Sequence, residues 1–244
     1  MDPEIVVHAD ADALAEALAS GLTAALADLQ AAGQVPQLCL TGGRIATRAY
    51  ARLADDGAGA VDWSRVELWW GDERFVPADD DDRNAKQALD LLRAPLGLDP
   101  ARVHEMPAGD AGADLDAAAA AYAAELDGTA FDICLLGLGP DGHVASLFPD
   151  HPSSRTPGTV IAVRDSPKPP PLRTSVTIEV INRSREVWFL VSGEDKAEAA
   201  AKALLGSGPA PVPGALVEAR ERTLWLMDTA ATSQLPGTQE LRHA

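Results

Sequence analysis

The sequence predicts an α/β protein built on a mainly parallel sheet covered by helices on both faces. Short apolar runs alternate with stretches of helical periodicity along most of the chain, which is the pattern of parallel strands joined by crossover helices. The central run, Phe131 to Leu136, is apolar apart from Asp132 and stops at Gly137, as expected of a strand buried on both faces. No internal repeat and no long linker interrupts the alternation, so residues 1–244 are expected to form one domain.

Residues 4–9 read as the first strand. Asp10 or Asp12 can cap the helix that follows, along which Leu14, Leu18, Leu22, Leu26 and Leu29 recur on one face until Gly33 ends it. Gln37 to Leu40 is the second strand, running into Thr41-Gly42-Gly43-Arg44 and a helix over Ile45 to Asp55. Val66 to Trp70 is the third, followed by a polar break, Gly71-Asp72-Glu73-Arg74, closed by Pro77. Helices are expected over Asn84 to Leu92 and over the alanine-rich Asp114 to Leu126, with a short strand from Arg102 to Met106 between them. Beyond the central strand, His151 to Thr159 and the proline-rich Ser166 to Pro171 read as loops around a strand at Val160 to Val163. Val176 to Ile181 and Val187 to Val191 read as strands, the second ending in Ser192-Gly193 ahead of a helix that carries Lys196 in its first turn. Leu224 to Met227 is the last strand, and a terminal helix or tail follows.

The formal net charge is -17, which argues against nucleic-acid and anionic-membrane partners because both would repel the chain as a whole. An acidic exterior can still surround a locally basic pocket for a small phosphorylated ligand. The run Asp79 to Asp82 reads as solvated surface. Cys39 and Cys134 lie in apolar strand-like runs, as small buried hydrophobes do in a reducing compartment, and neither has a basic neighbour that would activate a thiol. The N-terminus lacks a signal-peptide pattern, and no apolar stretch approaches the ~20 residues of a membrane span. A cytoplasmic protein, monomeric or weakly dimeric, is the expectation.

Four strand ends carry polar residues: Gly42-Gly43-Arg44, Asp72-Glu73-Arg74, Asp141-Gly142-His143, and Ser192-Gly193 with Lys196. In a parallel sheet these ends share one edge, where open α/β folds bind ligands. Singly, each has a bland reading: surface cations, helix caps, a hydrogen-bonded loop histidine. Together they favour a site for a small anionic ligand. Gly137-Leu138-Gly139-Pro140-Asp141-Gly142 also matches the dinucleotide pattern G-x-G-x-x-G, with Asp165 as a later acidic residue. Pro149, Pro152 and Pro157 leave no room for the helix that pattern must open, so the match is read as accidental.

GLGPDGHVASLFPDHP, with WWGDERFVP, the TGG turn and REVWFLVSGEDKAEA, closely resembles the 6-phosphogluconolactonase family, from the first strand to the WLMD strand near the end. The resemblance implies a three-layer α/β/α, Rossmann-like domain related to glucosamine-6-phosphate deaminases and ribose-5-phosphate isomerases. It implies hydrolysis of 6-phospho-D-glucono-1,5-lactone to 6-phosphogluconate in the oxidative pentose phosphate pathway, with no metal or organic cofactor. By the same resemblance His143 is the general base, and Asp141 orients it or stabilises its charge. Gly42, Gly43, Arg44 and Lys196 would hold the substrate phosphate, with Asp72, Arg74 and Arg173 at the remaining substrate-site positions. Many members read SGGSTP where this chain reads TGGRIA: Thr41 keeps a hydroxyl, and Arg44 puts a long cation in place of the second serine. The related deaminases carry a glutamate five residues after the histidine, and here that residue is Phe148. The loss of that carboxylate argues against the deaminase alternative, and the presence of His143 argues against a non-catalytic sugar-phosphate sensor.

Overall fold

The structure is a computed structural model that describes residues 2–56, 59–206 and 210–236. Strand β1 (Glu4–His8) leads into helix α1 (Ala11–Ala31). Asp10 is the cap: its carboxylate accepts the backbone N–H groups of Asp12 and Ala13, two of the donors that a helix start leaves without a partner. Strand β2 (Gln37–Leu40), helix α2 (Arg44–Asp56) and strand β3 (Glu67–Trp70) follow. A short strand β4 (Asp72–Arg74) precedes helices α3 (Asn84–Leu96) and α4 (Leu115–Leu126). Next come strands β5 (Ile133–Gly137), β6 (Val160–Val163) and β7 (Arg173–Val176), then the short helix α5 (Ile178–Asn182). Strand β8 (Glu186–Val191), helix α6 (Ala197–Leu205) and strand β9 (Arg222–Asp228) complete the order.

The six-stranded sheet runs β1-β9-β8-β5-β2-β3, and every pairing in it is parallel. Alternation along the strands divides the core in two. Leu38, Leu40, Leu135, Trp188, Leu190, Leu224 and Leu226 face α1, α2 and α3, including the whole leucine stripe Leu14 to Leu29. Cys39, Cys134, Leu136, Phe189, Trp225 and Met227 face Tyr122 of α4, Val180 of α5 and Ala200 of α6. Helices therefore cover both faces, as the sequence predicts. No helix among the described residues is long and apolar enough to cross a membrane.

Three local expectations are corrected. Asp72-Glu73-Arg74 is not a break but a strand, β4, which pairs antiparallel with β7 in a separate three-stranded sheet ordered β4-β7-β6. The side chains of Asp72 and Glu73 are tolerated because they find buried partners, and Arg74 reaches the exposed Asp82 carbonyl. Arg102 to Met106 makes only a single bridge, Val103 to Leu68, after a 3-10 turn over Pro100–Arg102 that Asp99 caps. Val176 to Ile181 is not one strand: the chain turns at Thr177, whose hydroxyl accepts the Val180 N–H and starts α5. Val180 and Ile181 gain burial in the core from that helix, which outweighs the strand preference of β-branched residues. The expected tail after β9 is a series of turns to residue 236, and residues 237–244 lie outside those described.

Candidate active site

Strands β8, β5, β2 and β3 are consecutive neighbours in the parallel sheet, so the four turns leaving their C-terminal ends meet along one edge. They enclose a cleft of about 600 Å³, a volume ordinary for a small-molecule site. Gly42, Gly43, Arg44, Asp72, Arg74, His143, Arg173 and Lys196 all line it. Asp141 stands behind His143, bonded to it.

The turn after β5 is shaped by its glycines. Gly139 N–H donates to the His143 carbonyl (2.9 Å) and Gly142 N–H to the Gly139 carbonyl (2.9 Å), folding the chain back so that residues 141 and 143 meet. A Cβ on Gly139 would lie 1.9 Å from His143 Nδ1 and 2.5 Å from Asp141 Oδ1, so the imidazole and carboxylate occupy the room that a side chain would take. Gly142 has φ +86, the left-handed region that favours glycine. His143 Nδ1 lies 2.5 Å from Asp141 Oδ1. A carboxylate is only an acceptor, so this contact assigns the proton to Nδ1 and leaves Nε2 as the ring's basic nitrogen. Burial opposes ionisation of Asp141, but the hydrogen bond and charge of His143, with the charge of Lys168, outweigh it and hold the carboxyl well below its usual range. No helix follows the G-x-G-x-x-G match: the next features are a Val144–Leu147 bridge and a 3-10 turn over Pro152–Ser154, so this turn lacks the helix N-terminus that a dinucleotide site uses.

Phe148 is fully buried and packs against His143, ring centroids 4.7 Å apart. Arg173 lies 5.9 Å over the Phe148 ring. Its guanidinium is buried, 4.0 Å from Asp72 Oδ2, and donates to the carbonyls of Lys168, Pro169 and Pro170. Asp72 in turn accepts the Ser146 hydroxyl (2.7 Å). Arg74 donates to the Asp82 carbonyl. Glu73 accepts the backbone N–H groups of Arg74, Asn84 and Ala85, which places its carboxylate at the N-terminus of α3. Arg173 and Arg74 thus line the cleft while also tying its walls together.

On the opposite wall Thr41, Gly42 and Gly43 lead into α2, with Arg44 exposed at its first position. A Cβ on Gly42 would strike the Asn84 amide at 1.9 Å, so Gly42 lets the turn approach α3. Beyond β8, Asp228 accepts the Ser192 hydroxyl (2.6 Å) and the Gly193 N–H, pinning the turn that presents Lys196. The Lys196 ammonium is 3.5 Å from Asp195.

Sequence reasoning passed over Lys168, Arg48 and Asn84, all of which line the cleft. Lys168 is the most informative, with Nζ 3.3 Å from His143 Nδ1 and 3.8 Å from Asp141 Oδ1. The signal available for it was a lone cation among the prolines of SPKPPP, a rigid segment around one charged side chain. Asn84 had no such signal, since its place depends on β4 and α3 meeting. A profile of the family described as glucosamine-6-phosphate isomerases/6-phosphogluconolactonase matches residues 9–225.

The chain belongs to this family.

Among relatives in the family, the 6-phosphogluconolactonase of Streptomyces coelicolor is 51% identical, with 96% of this chain and 95% of that protein covered. The 6-phosphogluconolactonase of Mycobacterium tuberculosis is 44% identical, with 97% of this chain and 100% of that protein covered. Of solved structures, 6-phosphogluconolactonase from Thermotoga maritima superposes with a TM-score of 0.83 at 26% identity, over 93% of this chain and 100% of that one. A monomeric glucosamine-6-phosphate deaminase gives 0.80 at 21% identity over 95% of this chain and 99% of that one, a likeness of fold alone. The expected Rossmann-like α/β/α architecture and the family read from the motifs are both borne out.

Proposed function

We propose that this chain hydrolyses 6-phospho-D-glucono-1,5-lactone to 6-phosphogluconate, a step of the oxidative pentose phosphate pathway, with His143 as the general base. The observation that carries the reading is the Asp141–His143 pair, with Nδ1 turned to the Asp141 carboxylate, within a cleft lined by Arg44, Lys196 and Lys168. The identity to relatives named for this activity supports the same substrate.

The lactone carbonyl carbon is neutral and its ring oxygen is a poor leaving group, so the chemistry needs a base for water and an acid for the departing oxygen. His143 Nε2 takes a proton from water as the water oxygen bonds to C1. The tetrahedral intermediate then expels the ring oxygen, which recovers the proton from Nε2. Asp141, ionised across the neutral range, holds the imidazole in the Nδ1–H tautomer and stabilises the imidazolium between the two transfers. The phosphate is assigned to the opposite wall, where the first turn of α2 leaves backbone N–H groups without helical partners and Arg44 and Lys196 supply positive charge. The whole cycle needs only acid–base work, and Phe148 in place of a carboxylate removes a second proton carrier beside His143.

The lactone also opens unaided, so the assay is initial-rate hydrolysis of freshly prepared lactone with the spontaneous rate subtracted. Wild type should accelerate it, and His143→Ala should lose about 10²- to 10⁴-fold in kcat. A folded wild type with no acceleration would remove the lactonase reading, and equal rates for both proteins would remove His143 as the base.

A further inference from the structure

Among the described residues, Lys168 is the cation whose charged end reaches the Asp141–His143 pair. It comes from the loop between β6 and β7, which has no regular structure, yet the loop is closely held. Ser166 N–H donates to the Pro171 carbonyl (3.0 Å), the Ser166 hydroxyl donates to the Lys168 carbonyl (2.9 Å), and Lys168 N–H donates back to Ser166 Oγ (3.3 Å). Arg173 donates Nε to the Pro170 carbonyl (3.1 Å) and Nη2 to those of Lys168 (3.1 Å) and Pro169 (2.9 Å). A buried guanidinium with several of its donors committed to one loop is a costly device unless the loop's position matters.

Nδ1–H of His143 and the Lys168 ammonium are both donors, so their 3.3 Å approach is not a bond between them. Both converge on Asp141 Oδ1. We propose that Lys168 is a positioning residue of the lactonase reaction: it steadies the Asp141 carboxylate and, by standing beside the ring, opposes lingering protonation of His143. When His143 takes the proton from water, imidazolium and ammonium lie side by side, and their repulsion returns the proton to the departing ring oxygen. Asp141 pulls the other way and keeps the first transfer feasible. The other cations acting on Lys168 in the cleft are Lys196, ahead of α6, and Arg173, 5.9 Å over the Phe148 ring, while Asp72 is engaged with Ser146 and Arg173. Burial holds Lys168 itself below the ordinary lysine range despite Asp141, and Lys196 and Arg173 push the same way. Those two cations remain when Lys168 is replaced, so the effect of its loss is graded rather than complete.

The inference rests on the activity proposed above, and the experiment keeps the two apart. Lys168→Met and Lys168→Arg are compared with wild type by background-subtracted rates across pH 5 to about 8.5, with melting temperature as the folding control. Lys168→Met should lower kcat about tenfold with KM changed less than about threefold, and should move the acid limb of the kcat profile to higher pH. Lys168→Arg should restore the position of that limb and most of kcat. An active wild type matched by Lys168→Met in kcat and in pH profile overturns the inference and leaves the activity standing. A loss confined to KM also overturns it, because Lys168 would then only bind substrate. A wild type without activity would instead remove the reading beneath it.

Discussion

At the scale of single residues, the site is governed by room as much as by charge. Gly139 leaves vacant the volume that the imidazole and carboxylate fill, so Gly139→Ala should displace both. We expect kcat to fall at least about tenfold, while unfolding free energy drops by about 1–3 kcal/mol, the ordinary cost of overpacking. Rates and urea melts measured on the same preparation check both. Asp141 gives a second prediction, with the sign fixed by its depressed folded-state value. Its ionised form contributes to stability above the unfolded carboxyl range, and that contribution is lost as pH falls through the folded value. The stability advantage of wild type over Asp141→Asn should therefore be fully present at pH 6 and shrink below about pH 4. An advantage that grows on acidification would contradict the assigned direction.

At the scale of elements, what could be read from sequence was what depends on neighbours along the chain. The leucine stripe of α1, its Asp10 cap and the strand that ends at the 141–143 turn all express local periodicity and capping. The helix α3 shows the limit. Its residue Arg83, at the cap position, makes no side-chain cap, and the donors of Asn84 and Ala85 go instead to Glu73 in β4. A cap supplied from a strand cannot be found by scanning the residues just before a helix, and it explains why Asp72-Glu73-Arg74 looked like a break. Lys168 escaped notice for the same reason, since only the antiparallel β6–β7 pairing brings its loop over the β5 turn. Glu73→Ala would strip α3 of this cap and leave the buried Arg83, 3.9 Å away, without that carboxylate. The expected cost is about 3 kcal/mol or more in denaturant unfolding, and a loss under ~1 kcal/mol would show that the cap is replaced by water.

At the scale of the whole molecule, a chain of net charge -17 encloses a pocket lined by Arg44, Arg48, Arg74, Lys168, Arg173 and Lys196. An anionic substrate is repelled at long range and attracted within the cleft, and salt screens both over about 10 Å at 0.1 M. Short-range attraction governs the bound state, so KM should rise about two- to fivefold between 0.05 and 0.5 M salt with kcat nearly constant. A fall in KM would mean that the outer repulsion dominates capture. The sheet order has a consequence of another kind. Among the described residues strand β1 pairs with β9 alone, Glu4 opposite Leu224, and Arg222 grips Glu4 through two donors at 2.8 Å while Thr229 bonds to the His8 carbonyl. Such pairing has the longest loop to close of any in the sheet, and distant pairings form slowly. During synthesis β1 must wait for β9, and the edge that carries the cleft can be assembled from β2, β3, β5 and β8 while β1 is still unpaired.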